Sequence, residues 1–224
     1  MCALRDGKSV ASTMGFTALD GLPMGTRCGQ LDPGVVLYLM AERKMSANEI
    51  SDLLYKDSGL KGLSGLSHDM RILETADSDA ARDAIAYFVA RIRREIGGLA
   101  ATIGGLDAIV FTGGIGENAS KVREAVLKDM GWIGVEFDRK ANADNAQVIS
   151  TAKSAVVVFV LQTDEERMIA EHAAERAGFA GFGALKMSDA REKPHITPKK
   201  NSCGKNVLTE SGPKRKGAPC ANMG

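Results

Sequence analysis

Ala108-Ile109-Val110-Phe111-Thr112-Gly113-Gly114-Ile115-Gly116-Glu117-Asn118-Ala119 is the stretch on which the fold turns. Ala108–Thr112 reads as a short apolar strand, Thr112–Asn118 as a glycine loop, and Ser120–Met130 as a helix with Val122, Val126 and Met130 aligned. Strand, glycines and helix bring free backbone N–H groups and the positive end of a helix dipole to one spot. Such a spot favours a phosphate or a close-packed nucleoside, because glycine lets a ligand approach where a Cβ would collide. The same residues fit a second pattern. Gly114-Ile115-Gly116-Glu117-Asn118-Ala119 matches the dinucleotide motif Gly-x-Gly-x-x-Ala, and Asp138 stands about 20 residues further on. On this segment alone a Rossmann half-domain, a kinase-type nucleotide site and plain turn chemistry all stay open.

Working outward, the chain alternates strands and helices. Asp32-Pro33 opens a helix with Val35, Val36, Leu39 and Met40 on one face, since Asp is a good N-cap and Pro suits the first helical position. Ser46 and Glu49 form a capping box ahead of Ile50, Leu53 and Leu54. Lys61–Met70 reads as a small-residue loop. After Asp77-Ser78 comes the longest helix, with Ile85, Phe88, Val89, Ile92, Ile96, Leu99 and Ile103 at helical spacing and Arg91, Arg93 and Arg94 on a solvated side. Val135–Asp138 and Ala155–Gln162 read as strands, and Asp164 caps a last helix that runs to about Gly178. This alternation implies an α/β layer fold. Met1–Val10 reads as a hairpin around Asp6-Gly7. A strand pair needs a third strand or a packed helix, so the start of the chain is expected to be cut from something longer.

Bulk properties narrow the function. The 224 residues are 44% apolar and 25% charged with a net charge of +1, which points to neither nucleic acid nor membrane. No apolar run reaches the roughly 20 residues of a membrane helix, and the first residues have no apolar signal core. Cys2, Cys28, Cys203 and Cys220 make no Cys-x-x-Cys pair and stand apart from His68, His172 and His195. A zinc site and a disulfide framework are therefore not expected, and reduced thiols in a cytoplasm are. From about Gly181 the pattern dissolves. Lys186–Gly224 holds four of the six prolines and nine Lys/Arg against three Asp/Glu, a composition that implies disorder. The expected division is a folded domain over 1–180 and a basic tail over 181–224, with Lys214-Arg215-Lys216 not taken as a nucleic-acid patch.

Two further segments carry chemistry. Arg27 stands alone in Met24-Gly25-Thr26-Arg27-Cys28-Gly29, where little can cover its guanidinium, and such an arginine suits bidentate contact with phosphate or carboxylate. An ordinary surface arginine is the competing reading. Thr163-Asp164-Glu165-Glu166 follows directly on an apolar strand. Acids there serve as helix caps, or meet a nucleotide-bound Mg²⁺ at the carboxyl end of the sheet.

Taken in order, five blocks resemble the acetokinase family, the acetate kinases of the actin, hexokinase and sugar-kinase superfamily. They are Ser12–Thr17, Gly21–Gly29, Ser64–Arg71, Val110–Asn118 and Thr163–Glu166, and the likeness runs from about Cys2 to about Gly178. The resemblance implies an α/β fold, the carboxy-terminal domain of the actin/hexokinase-like (ribonuclease H-like) ATPase fold, truncated at the amino end. It implies that Arg27 binds the carboxylate or acetyl-phosphate group and stabilises the transferring phosphoryl. Asp69, Met70 and Arg71 match a loop beside the adenosine; Gly114, Ile115, Gly116 and Asn118 match the adenosine motif; Glu165 matches an acid associated with Mg²⁺ or Mn²⁺. The implied reaction is reversible phosphorylation of acetate by ATP to acetyl phosphate and ADP, in a homodimer when full-length. Ala18 stands where many relatives have proline, beside Phe16 near the acyl pocket, so a related acid such as propionate stays open. The family's amino-terminal phosphate loop has no match here, so low or no activity is expected of the chain alone, and a non-catalytic nucleotide-binding or dimer-forming piece is the alternative.

Overall fold

The computed structural model describes residues 1–178 and the strands 196–200 and 206–210, in two units, Met1–Thr163 and Asp164–Gly224. The first begins with an antiparallel hairpin, β1 (Cys2–Arg5) and β2 (Lys8–Ser12), turned by Asp6 and Gly7 at φ 52° and 74°. Positive φ at both central residues is what a tight two-residue turn demands. A register shift after Ala3 bends the pair, Ala3 is buried, and the Arg5 guanidinium donates to the Ile103 carbonyl at 2.8 Å. That carbonyl ends the long helix α5 (Asp79–Ile103), which therefore serves as the packed partner a lone hairpin needs.

α5 is the spine of the unit. Ser78 caps it, Gly104 ends it at φ 76°, and Ala81, Ala84, Phe88, Val89, Ile92, Ile96 and Ala100 form its buried stripe. The small residues in that stripe let α3 (Gly59–Ser64) and α4 (Met70–Thr75) pack close on one side and α7 (Ser120–Leu127) on another. Arg91 and Arg93 of α5 depart from the solvated face expected of them, while Arg94 stays more than half exposed. Arg93 donates to the carbonyls of Ala125 and Val126 and pairs with Asp129 at 2.6 Å, while Arg91 and Arg94 both reach Gln30.

The sheet is small. β3 (Ala108–Phe111) and β4 (Val157–Val160) pair in parallel, Ala108 with Val157 through Phe111 with Val160. β4 is shorter than the strand read over Ala155–Gln162. Val135–Asp138 makes only the bridge Phe137 to Ser150, because the next residues turn into α8 (Arg139–Ala143). Asp138 caps that helix, accepting from the N–H groups of Lys140 (2.8 Å) and Ala141 (3.0 Å).

Of two segments read as loops, one is helical at its start and loop over Gly65–Asp69, the other helical from Gly113 on. α3 occupies the start of Lys61–Met70, and its first N–H groups are taken by carbonyls of the arginine segment: Leu60 to Met24 and Lys61 to Gly25, both at 2.9 Å. Leu60 is fully buried beneath it. α6 (Gly113–Asn118) is the glycine segment itself, with Ala119 breaking the chain before α7. The helices α1 (Pro33–Ala41) and α2 (Ala47–Lys56) carry the N-caps expected, Asp32 and the Ser46/Glu49 box. α2 buries Ile50, whereas α1 buries no side chain fully.

The second unit holds α9 (Glu165–Arg176), where the Asp164 carboxylate accepts from the Arg167 N–H at 2.9 Å, and an antiparallel pair, β5 (Ile196–Lys200) with β6 (Asn206–Glu210). The expected boundary at 180/181 and the remainder of the tail called disordered lie outside the described residues. No described helix is long and apolar enough to cross a membrane.

Gly59 tests the joint between α3 and the arginine segment. At φ 58° its added Cβ would stand 2.1 Å from the Met24 carbonyl oxygen and 2.6 Å from that of Arg27. Gly59→Ala should cost about 2–4 kcal/mol in urea unfolding, from overpacking against backbone and a strained φ together.

Candidate nucleotide site

α6 is an improbable helix by composition, since three of its six residues are glycine and each glycine costs about 1 kcal/mol relative to alanine. It is held by side chains from both ends. At its start the Thr112 side chain makes no cap. Glu117 does so instead: its Oε1 accepts from the Gly113 N–H at 2.9 Å, and also from the N–H and hydroxyl of Thr163 at 3.0 and 3.3 Å. Thr112 follows β3 and Thr163 follows β4, so this carboxylate ties together the carboxyl ends of two adjacent parallel strands. Ligands of open α/β sheets bind at such ends.

At the far end Arg123 reaches back from α7. Its Nη1 donates to the carbonyls of Gly116 (2.8 Å) and Glu117 (2.9 Å). Nε donates to Asn142 Oδ1 at 2.8 Å, and Nη2 to the Asn142 carbonyl and to Asn145 Oδ1. All five guanidinium N–H groups are thereby used in a side chain with 0% exposure. Burial pulls its pKa below the ordinary value, yet an arginine stays protonated. Neither Glu117 nor Arg123 stood among the expected site residues; the signal available was a Glu inside the glycine segment and an Arg one turn into the next helix.

The glycines divide by task. A Cβ on Gly113 or Gly114 would meet nothing within 4 Å, so those two leave open space beside the backbone. A Cβ on Gly116 would come within 3.3 Å of the Phe111 backbone, so Gly116 lets α6 lie close on the end of β3. Ile115 packs against the core, and Asn118 turns its amide back to the Gly114 carbonyl at 2.8 Å.

Arg27 lies in a segment fastened to α2 and α3 by main-chain bonds: Cys28 N–H to Leu54, Ser58 N–H to Thr26, and Met24 N–H to Arg27. Its guanidinium stands 5.9 Å over the Tyr55 ring and 3.9 Å from Met24 Sδ, and pairs with no carboxylate among the described residues. A Cβ added at Gly25 would stand 3.1 Å from the His68 carbonyl oxygen, so this segment lies beside the Asp69–Arg71 turn. There Asp69 caps α4 and pairs with Arg71 at 2.5 Å, and hydrogen bonds from Arg71 hold its carboxyl down to about 2. Met70 is 4% exposed and part of the core, so its side chain is turned to the interior rather than to a ligand. Glu165 opens α9 in the second unit. Among the described residues no three His, Cys, Asp or Glu side chains cluster as a metal site would require.

Asp138 weighs against the dinucleotide pattern. A dinucleotide site holds the ribose with such a carboxylate, and here one of its oxygens caps α8. Comparison with known proteins agrees: residues 1–171 match the acetokinase family.

The chain belongs to the acetokinase family.

It is 73% identical over 172 residues to an acetate kinase of Methylocella silvestris, covering 77% of this chain and 43% of that protein. Among solved structures it is similar to the Porphyromonas gingivalis acetate kinase (TM-score 0.74, 42% identity, 78% of this chain and 45% of that one). It is also similar to a propionate kinase from Francisella tularensis (TM-score 0.72, 37% identity, 76% and 44%). The α/β fold of actin/hexokinase-like ATPases expected from the sequence is the one it shares with them. This acetokinase chain spans less than half the length of the relatives it matches.

The Asp69–Arg71 pair has a readable titration. A carboxyl depressed from 3.8 to about 2 contributes stability that is complete above pH 3.8 and lost as pH falls toward 2. Carbon-detected NMR should place the Asp69 midpoint near 2, and Arg71→Ala should return it toward 3.8. Added salt should weaken the shift, because Arg71 is 87% exposed.

Proposed function

We propose that this chain carries the adenine-nucleotide side of an acetate kinase, an enzyme that moves a phosphoryl group between ATP and the carboxylate of acetate. The observation that carries it is α6: a glycine helix at the carboxyl end of the sheet, braced from outside and open beside Gly113 and Gly114. Family membership supports the same reading. Gly114, Ile115, Gly116 and Asn118 then enclose the nucleoside, and Asp69, Met70 and Arg71 border it.

Phosphoryl transfer asks the protein for in-line positioning and for cations on the moving group. Arg27 suits that task, its planar guanidinium standing over the Tyr55 ring and unpaired with any described carboxylate. It would bind the acyl carboxylate or acetyl phosphate and neutralise charge as the phosphoryl passes. A divalent cation, Mg²⁺ or Mn²⁺, fits the donor set only in one manner. With no acidic cluster among the described residues, Glu165 would supply a single carboxylate and the phosphates and water the rest, as Mg²⁺ commonly accepts. Such an ion, when bound, neutralises phosphate oxygens. Acetate and acetyl phosphate are the proposed acyl partners, propionate a related acid, and a homodimer in the cytoplasm the proposed setting.

Calorimetry separates this reading from its rivals: ADP should bind the purified chain and NAD should not, and NAD binding without ADP binding would overturn it. Trapping with hydroxylamine tests the transfer. ATP- and acetate-dependent hydroxamate that drops about 10²-fold or more in Arg27→Ala, with ADP affinity kept, would assign the chemistry to Arg27. ADP binding without any hydroxamate would instead mark a nucleotide-holding unit without turnover.

A further inference from the structure

Glu117 has no part in the roles just assigned, and its charge is on the wrong side of the balance. A carboxylate beside a site for a nucleotide polyanion opposes binding by simple repulsion. What it does locally is accept three hydrogen bonds on one oxygen, from Gly113 and twice from Thr163. We propose that Glu117 is a positioning residue for nucleotide binding, clamping the start of α6 to the end of β4 so that the open backbone at Gly113 and Gly114 keeps one geometry. The inference rests on the nucleotide reading of α6.

The clamp is needed because α6 cannot hold itself. A free six-residue helix is far below the length that is stable in water, and half of this one is glycine. Arg123 fixes its last carbonyls, and Ala119 already departs from helical geometry at φ −94°, ψ 78°. Without Glu117 the first turn would have neither a side-chain cap from Thr112 nor a tie to the neighbouring strand end. Glycine's freedom of φ would then let Gly113, at φ 71°, and Gly114 sample many conformations, and a ligand would have to restore one of them.

Hydrogen-bond reach and charge can be separated at this position. Glu117→Gln keeps an oxygen where Oε1 stands and removes the charge; Glu117→Asp keeps the charge and withdraws the oxygen by one methylene. If reach is what counts, calorimetric ADP affinity of the Gln variant should stay within about threefold of the unaltered chain or exceed it, and the Asp variant should lose about tenfold or more. Thermal melts of both variants accompany the titrations, run well below the melting temperature. An Asp variant that binds ADP within about fivefold of the unaltered chain, whether or not it melts earlier, would overturn the assignment, as would a Gln variant weaker than the Asp variant. If the unaltered chain itself fails to bind ADP, the nucleotide reading falls and this inference with it. If it binds and the Asp variant binds equally, only the role of Glu117 falls.

Discussion

A guanidinium removed from water needs five acceptors in one place, and in this molecule that requirement organises the segment between β3 and β4. Arg123 is fully buried and takes carbonyls from α6 and α8 and amide oxygens from Asn142 and Asn145. Leaving even one of those donors unpaired would cost on the order of 1–3 kcal/mol, more for a charged group, so the surrounding backbone has little freedom. The Asn142 amide completes the arrangement by donating to the Ser120 carbonyl at 2.9 Å, at the start of α7. Three short helices, none long enough to stand alone, are thus fixed to one another through a single side chain. Their apolar support is Val122, Val126, Leu127 and Met130, packed against α5.

The arginine segment is fixed by the opposite means. Arg27 is not gripped through its side chain at all; its position comes from main-chain bonds to α2 and α3 and from the close approach that Gly59 permits. The guanidinium is left over a tyrosine ring with its donors largely unspent. Two arginines therefore serve opposite ends. One is saturated and holds structure, the other is unsaturated and held by structure, and only the second has hydrogen-bonding capacity for an anion.

Much of this was legible in the residues. The hairpin turn at Asp6-Gly7, the cap at Asp32, the Ser46/Glu49 box, and Phe88, Val89, Ile92 and Ile96 in the buried stripe of α5 follow from local chemistry and helical spacing and appear; Ile85, Leu99 and Ile103 are only half-buried, and Ala81, Ala84 and Ala100 complete the stripe instead. The misses share a cause. The loop reading of Lys61–Met70 holds for Gly65–Asp69 but not for its start, and the glycine segment is helical from Gly113 on; both turn helical where distant atoms satisfy their ends, Met24 and Gly25 carbonyls for α3, Glu117 and Arg123 for α6. The same blindness hid the tasks of Arg91 and Arg93, whose partners lie dozens of residues away. Spacing reports what a helix does to its own neighbours, and is silent about acceptors supplied by another element.

That limit also explains why the glycine pattern was ambiguous. Gly-x-Gly-x-x-Ala describes backbone that a ligand can approach, which a dinucleotide fold and a kinase cleft both require. The family match over residues 1–171 separates them, and the hydrogen bonds of the carboxylate about 20 residues on agree with it. Asp138 spends one oxygen on two N–H groups of α8, whose Asn142 then serves Arg123, which in turn holds α6. The residue that suggested a ribose contact is instead the far end of the chain of bonds that shapes the glycine helix. Read this way, the motif marks a backbone made accessible, and the polar residues around it decide which ligand that backbone can receive.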